Sequence, residues 1–408
     1  MKQLLHLLIL FSFSSCGIVG RIKTVGLING TQIEQRHFFE EISFKEENGK
    51  IILPVEVQNN VYDFLFDTGA IAVIDNEVLK NLKNQKVTSQ KVKDYVGKKS
   101  KLNYHRLEQV SIQNINFRSA GVVGADFGLI KSKDCSGISG IIGANWMKKA
   151  LWQIDFQQQK LRFANSIDSL QIPENSDTIR FIPNLQGTPA FKFSTSNGVQ
   201  KDMILDTGSP GNLSMPANGF SKEERNAALL KRFGLTYGIF GSSLDSTFFI
   251  QFPSASIGHK LELNNPVVAL ETSINKGVMG TTFLQNYLVT IDWQRQYIIF
   301  SPTAVPEKKK VNNYGFSIDW ENGKLLVSRV YKSTLGQEKG LEYKDQILMI
   351  NQRDLRQATQ SDYCDLRLNG KNGQDDEAFI WVKVLRNGVE LDFKVERFDV
   401  EEFFNKNK

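Results

Sequence analysis

The sequence predicts a mostly β chain built on an internal duplication, and three observations carry that prediction. Among 408 residues, 28 Phe and 31 Gly stand against few Ala- or Leu-rich runs, a balance that favours strands and tight turns over helical bundles. The segment Phe64-Leu65-Phe66-Asp67-Thr68-Gly69-Ala70 returns 139 positions later as Met203-Ile204-Leu205-Asp206-Thr207-Gly208-Ser209. Gly140-Ile141-Ile142-Gly143 and Ile154-Asp155-Phe156 return 137 positions later as Gly277-Val278-Met279-Gly280 and Ile291-Asp292-Trp293. Solenoid repeats have periods of roughly 20–50 residues, so a period this long implies a duplicated unit.

Met1-Lys2, the apolar run Leu4 to Phe13 and the small Ser14-Ser15 read as a secretory signal over residues 1–15, too short to span a bilayer as a mature helix. An N-terminal segment, 16–40, leads into the first unit, 41–170. Strands are expected at Ile51 to Val57 and Val61 to Phe66, hairpin-like stretches from Lys91 to Ile115, and a closing strand pair from Gln153 to Phe163. The second unit, 171–302, carries Lys222 to Phe233, whose Ala-Ala-Leu-Leu centre reads as one helix. A polar linker, 303–310, precedes a third unit, 311–398, and a tail, 399–408. Asn387-Gly388, between Ala378 to Arg386 and Val389 to Val395, marks a two-residue hairpin turn in that third unit.

A net charge of +6 with Lys spread along the chain lacks the footprint of a nucleic-acid binder. Four His and three Cys, with no CxxC or HExxH pattern, argue against a metal site, and no cofactor is expected. Cys135 and Cys364 are far apart and read as two separate buried thiols, with a cross-domain disulfide as the alternative. Lys80 to Lys101 holds eight Lys against one acid, Asp94, and reads as a solvated basic face.

The chemistry lies in the two Asp-Thr-Gly triplets. Each ends an apolar strand and opens a tight turn. Gly69 and Gly208 permit a backbone that aims amides at the preceding carboxylate, while Thr68 and Thr207 can hydrogen-bond across a two-fold axis. Asp67 and Asp206 brought face to face cannot both ionise, so they share a proton; one acts as base on a water and the other donates to a carbonyl. Ala70 follows the first triplet and Ser209 the second, so a Ser209 hydroxyl is expected to favour the charged form of Asp206 and leave Asp67 protonated.

With both halves carrying these motifs, residues 50 to 300 resemble the two-lobed aspartic proteases of the retropepsin-like or pepsin-like kind. The resemblance implies the acid-protease β-barrel fold, an endopeptidase acting on peptide or protein substrates, catalytic Asp67 and Asp206, and flaps within Lys91 to Glu108 and Tyr237 to Phe249. Residues 311 to 396 resemble a bacterial PDZ domain, with Tyr314-Gly315-Phe316 matching its carboxylate-binding loop and Lys344 standing where Gly is usual. That implies a C-terminal peptide ligand added as a strand beside Leu325 to Val330, and a unit whose removal leaves short-peptide cleavage largely intact. Phe13-Ser14-Ser15-Cys16 resembles the bacterial lipobox, with Phe13 in place of the usual Leu. It implies lipidation of Cys16 and an exported chain tethered to a membrane of the cell envelope. The rival reading is a catalytically inactive peptide-binding or adaptor lipoprotein on the same fold, since fold alone does not guarantee chemistry.

Overall fold

The computed structural model describes residues 15–94, 96–258, 260–303, 314–333, 340–368 and 378–407. The fold is mostly β. Among the described residues the strands form sheets of eleven, six and sixteen members.

The duplication is visible in register. In the first repeat, Lys50–Val57 pairs antiparallel with Asn60–Asp67 through a turn at Gln58 and Asn59, both in the left-handed region. Asn60–Asp67 then pairs parallel with Gly140–Gly143, Phe64 opposite Gly140 and Asp67 opposite Gly143. Gly140 is required there, because a Cβ would come within 2.3 Å of the Phe64 ring. The second repeat copies this arrangement, with Gln200–Leu205 parallel to Gly277–Met279 and Met203 opposite Gly277.

The closing hairpins of the two repeats meet in the six-stranded sheet, where Leu151–Asp155 pairs antiparallel with Tyr287–Asp292. Gln153 lies opposite Thr290, its own counterpart in the repeat, and donates to Thr290 Oγ1 at 3.0 Å. The local two-fold therefore passes through this pair. Trp146, Trp152, Phe66, Phe163, Phe193 and Phe300 fill a single core shared by both repeats.

Several expectations are corrected. The N-terminal segment, 16–40, packs on the first repeat. The helix Ser15–Gly30, which contains Cys16, packs Leu27 and Ile28 against Tyr104 and Val123. Gln32–Ile33 and Phe39–Ser43 pair with strands of the first repeat. The signal run Leu4 to Phe13 and most of the linker, 304–310, lie outside the described residues. Helix covers only Lys222–Asn226 of the expected Lys222 to Phe233, because Leu230 already begins the strand Leu230–Gly238, which is paired on both edges. Two ladders override the helix preference of Ala-Ala-Leu-Leu. Cys135 and Cys364 are not separate thiols but a disulfide, across 229 positions, joining the first repeat to the C-terminal unit.

The C-terminal unit has its own core of Phe316, Val327, Ile347, Tyr363, Leu366 and Val382. The hairpin Phe379–Arg386 with Val389–Glu396 turns at Asn387 and Gly388, both at positive φ. Lys344 also takes a positive φ, +74°, a backbone state that a glycine would adopt at lower cost.

Candidate active site

The two Asp-Thr-Gly turns meet at the axis of the duplication. Thr68 and Thr207 are fully buried and interlock: each backbone N–H donates to the other hydroxyl at 3.0 Å. Each hydroxyl in turn donates across the axis at 2.8 Å, Thr68 to Leu205 O and Thr207 to Phe66 O. Gly69 N–H donates to Asp67 Oδ1 at 2.8 Å and Gly208 N–H to Asp206 Oδ1 at 3.0 Å. The glycines are also required sterically. A Cβ on Gly69 would come within 2.6 Å of the Asp206 carboxyl, and one on Gly208 within 2.4 Å of Asp67.

The Asp67 and Asp206 carboxyls hydrogen-bond each other. Such contact between two acids requires a shared proton. Burial, with the neighbouring Asp67 charge, pushes Asp206 well above the usual carboxylate range. Burial also raises Asp67, but its hydrogen bonds from Asp206, Gly69 and Ala70 and the positive charge of Lys50 oppose the rise. Both carboxyls are thus pushed toward the protonated form, Asp206 further than Asp67, whereas the sequence pointed to Asp206 as the charged member. Ser209 contributes its backbone instead, with N–H to Asp206 O and its carbonyl accepting from Thr281 N–H at 2.8 Å.

The dyad opens on a cleft of about 2030 Å³. Two hairpins close over it. The first, Asn84–Lys93 with Lys99–Leu107, spans the expected flap; the second, Leu230–Gly238 with Gly241–Gln251, begins seven residues before Tyr237. Their tips touch, since Asp94 Oδ2 accepts from Phe240 N–H at 3.0 Å and Asp94 Oδ1 from Lys98 N–H at 2.7 Å. Of the two flap tyrosines, Tyr104 is buried against the N-terminal helix and Tyr95 lies outside the described residues.

Each hairpin is supported from outside. The N-terminal helix packs on the first; the strand Lys324–Ser333 of the C-terminal unit pairs with the second, from Leu230 opposite Ser333 to Gly234 opposite Arg329. Gly234 admits this neighbour because a Cβ would come within 2.2 Å of Ser328 O.

This pairing also corrects the expected peptide groove. Lys324–Ser333 has one edge on Phe316–Glu321 and the other on Leu230–Gly238 and Gln346–Ile350, which leaves no edge at Leu325 to Val330 for an added strand. Gly315, at φ +67°, gives its carbonyl to Tyr331 N–H at 2.8 Å, and Phe398 packs beside it. Tyr314 and Phe316 are core residues of the unit. Between Phe316–Glu321 and the helix Gln360–Leu368 lie residues 132–135 of the first repeat. Lys133 Nζ donates to Trp320 O at 2.6 Å, Tyr363 Oη to Lys133 O at 2.5 Å, and Gln360 Nε2 to Ser132 O at 2.7 Å. The disulfide fixes this arrangement covalently.

Sequence reasoning missed Lys50, Asp94, Asp134 and Arg367. No motif marks them, because each acts through a contact between segments far apart in the chain.

No family model matches the chain, and no curated protein matches it. Among solved structures, basic 7S globulin from soybean is similar over 67% of this chain and 95% of its own, at 10% identity and a TM-score of 0.42. A likeness at that level carries no argument about this chain. The resemblance read from the sequence, to a retropepsin-like or pepsin-like aspartic protease with a C-terminal PDZ domain in a bacterial lipoprotein, is therefore corrected: no family supports it.

Proposed function

We propose that this chain is an endopeptidase of the aspartic type, hydrolysing peptide bonds of peptide or protein substrates. Asp67, ionised, takes a proton from a water as that water attacks the scissile carbonyl, and Asp206 donates its proton to the carbonyl oxygen. Collapse of the tetrahedral intermediate returns a proton to the leaving amine. The observation that carries the reading is the hydrogen-bonded pair of carboxyls, cross-locked by Thr68 and Thr207, at the floor of a cleft under two hairpins. Export to the cell envelope belongs to the same proposal. It rests on the N-terminal pattern, and the Cys135–Cys364 disulfide supports it, since such bonds persist in oxidising compartments.

The test is incubation of the protein with a complex peptide mixture, read by mass spectrometry, beside Asp67→Asn and Asp206→Asn. New termini that disappear in both variants support the reading. Cleavage that survives Asp67→Asn would falsify it.

A further inference from the structure

The dyad loops are symmetric, but their surroundings are not. Ile52 lies opposite Leu65 in the first repeat and Ala190 opposite Ile204 in the second. Two residues before these stand Lys50 and Thr188, so one wall of the cleft carries an ammonium where the duplication gives the other a hydroxyl. Thr188 Oγ1 donates to Gly69 O at 3.4 Å, on a dyad turn.

Lys50 is held from behind. Its Nζ donates to Asp134 Oδ2, and Asp134 Oδ1 accepts from Arg367 Nη2 at 2.7 Å. The hairpin that carries Lys50 is itself fixed against the second triplet: Gly49 abuts Pro210, and its carbonyl accepts from Thr281 Oγ1 at 2.6 Å. The Lys50 side chain is 19% exposed, enough to face the cleft while its stem lies against the wall.

Other charges near this wall are engaged elsewhere. Glu47, opposite Lys50 in its hairpin, pairs with Lys45, and Glu46 accepts from Gln285 at 3.2 Å. Lys133 pairs with Asp319 at 2.8 Å, and Asp94 binds the flap amides. Across the dyad, Asp206 is the titratable group that faces Asp67, and burial holds it toward its protonated form.

Two carboxyls sharing one proton in equal surroundings have equal claim to it, and a cation on one side removes that equality. We propose that Lys50 is a positioning residue that fixes Asp67 as the ionised, water-activating member of the dyad, with Asp134 and Arg367 holding its ammonium in place. The inference rests on the endopeptidase reading and adds a reason for the division of labour. Through Arg367 it makes the C-terminal unit part of the site.

The experiment compares full-length wild type with Lys50→Met and Lys50→Arg. It records kcat/KM against pH on a peptide from the mixture assay, and the 13Cγ titration of labelled aspartates, with Asp67 and Asp206 assigned from their Asn variants. Without the cation Asp67 ionises at higher pH, so Lys50→Met should move the acid limb upward by about one pH unit, near a tenfold rate loss on the acid side. Lys50→Arg should restore the wild-type limb. An acid limb and an Asp67 titration unchanged in Lys50→Met would overturn the proposal. If wild type cleaves nothing, the endopeptidase reading fails, and the 13Cγ titration still decides whether Lys50 sets the Asp67 charge.

Discussion

Thr207→Val isolates the interlock that holds the dyad together. Valine matches threonine in shape but removes a hydroxyl that accepts from Thr68 N–H at 3.0 Å and donates to Phe66 O at 2.8 Å. Both groups lie where Thr68 and Thr207 are fully buried, so water cannot replace the lost partner. Leaving a buried donor or acceptor unmatched costs about 1–3 kcal/mol, so the substitution should cost about 2–5 kcal/mol in all. Against a typical domain stability of about 5–15 kcal/mol the protein stays folded, and the loss reads as a lower midpoint in urea. Peptide turnover should fall more steeply than stability, because the same bonds set the separation of the two carboxyls. The double variant Thr68→Val with Thr207→Val should cost less than the sum of the singles, since paired removal takes out partners together. A midpoint change worth less than ~1 kcal/mol in Thr207→Val, with turnover intact, would refute the interlock as the organiser of the site.

Three further outcomes are expected. Asp206 is raised by burial and by the Asp67 charge, so its contribution to stability is complete below the unfolded carboxylate pKa, near 3.9, and is lost as pH rises through its folded value. Asp206→Asn should therefore be more stable than wild type at pH 7 with the gain shrinking toward pH 4, and urea midpoints at the two pH values check it. Cys364→Ala opens a closure spanning 229 positions and should lower stability by up to about 5 kcal/mol; equal denaturation midpoints of oxidised and reduced wild type would contradict this. Removing residues 311–408 strips Lys324–Ser333 from the second hairpin and Arg367 from Asp134, so short-peptide turnover should fall at least about tenfold, a tenfold loss being ~1.4 kcal/mol in the barrier. Undiminished turnover would mean the C-terminal unit is a detachable module after all.

What could be read from the sequence was whatever repeats or alternates. The two triplets, their glycines and threonines, and the Gly-rich parallel strands recur at fixed offsets because the physical demands on each are the same in both repeats. The Asn387-Gly388 turn was legible because its backbone state admits few residues. The pairing of Leu230–Gly238 with Lys324–Ser333 was not, since strand edges carry no mark of a partner 99 positions away. The Cys135–Cys364 bond was hidden for the same reason: it depends on two units docking, and sequence distance suggested separation. The upward push on Asp206 could not be read from Ser209, a neighbour in the chain, because burial and the facing Asp67 carboxyl, neighbours in space, cause it.

The link between Cys135 and Cys364 orders events in time. When the ribosome has made the first 302 residues, every strand of the duplication and both Asp-Thr-Gly turns exist, and the interlocked threonines can form. Asp134 then holds Lys50 without Arg367, the second hairpin lacks its outer strand, and Cys135 waits as a free thiol. Only when the last quarter of the chain has been made can these three conditions resolve together. Full organisation of the site therefore waits on the residues made last.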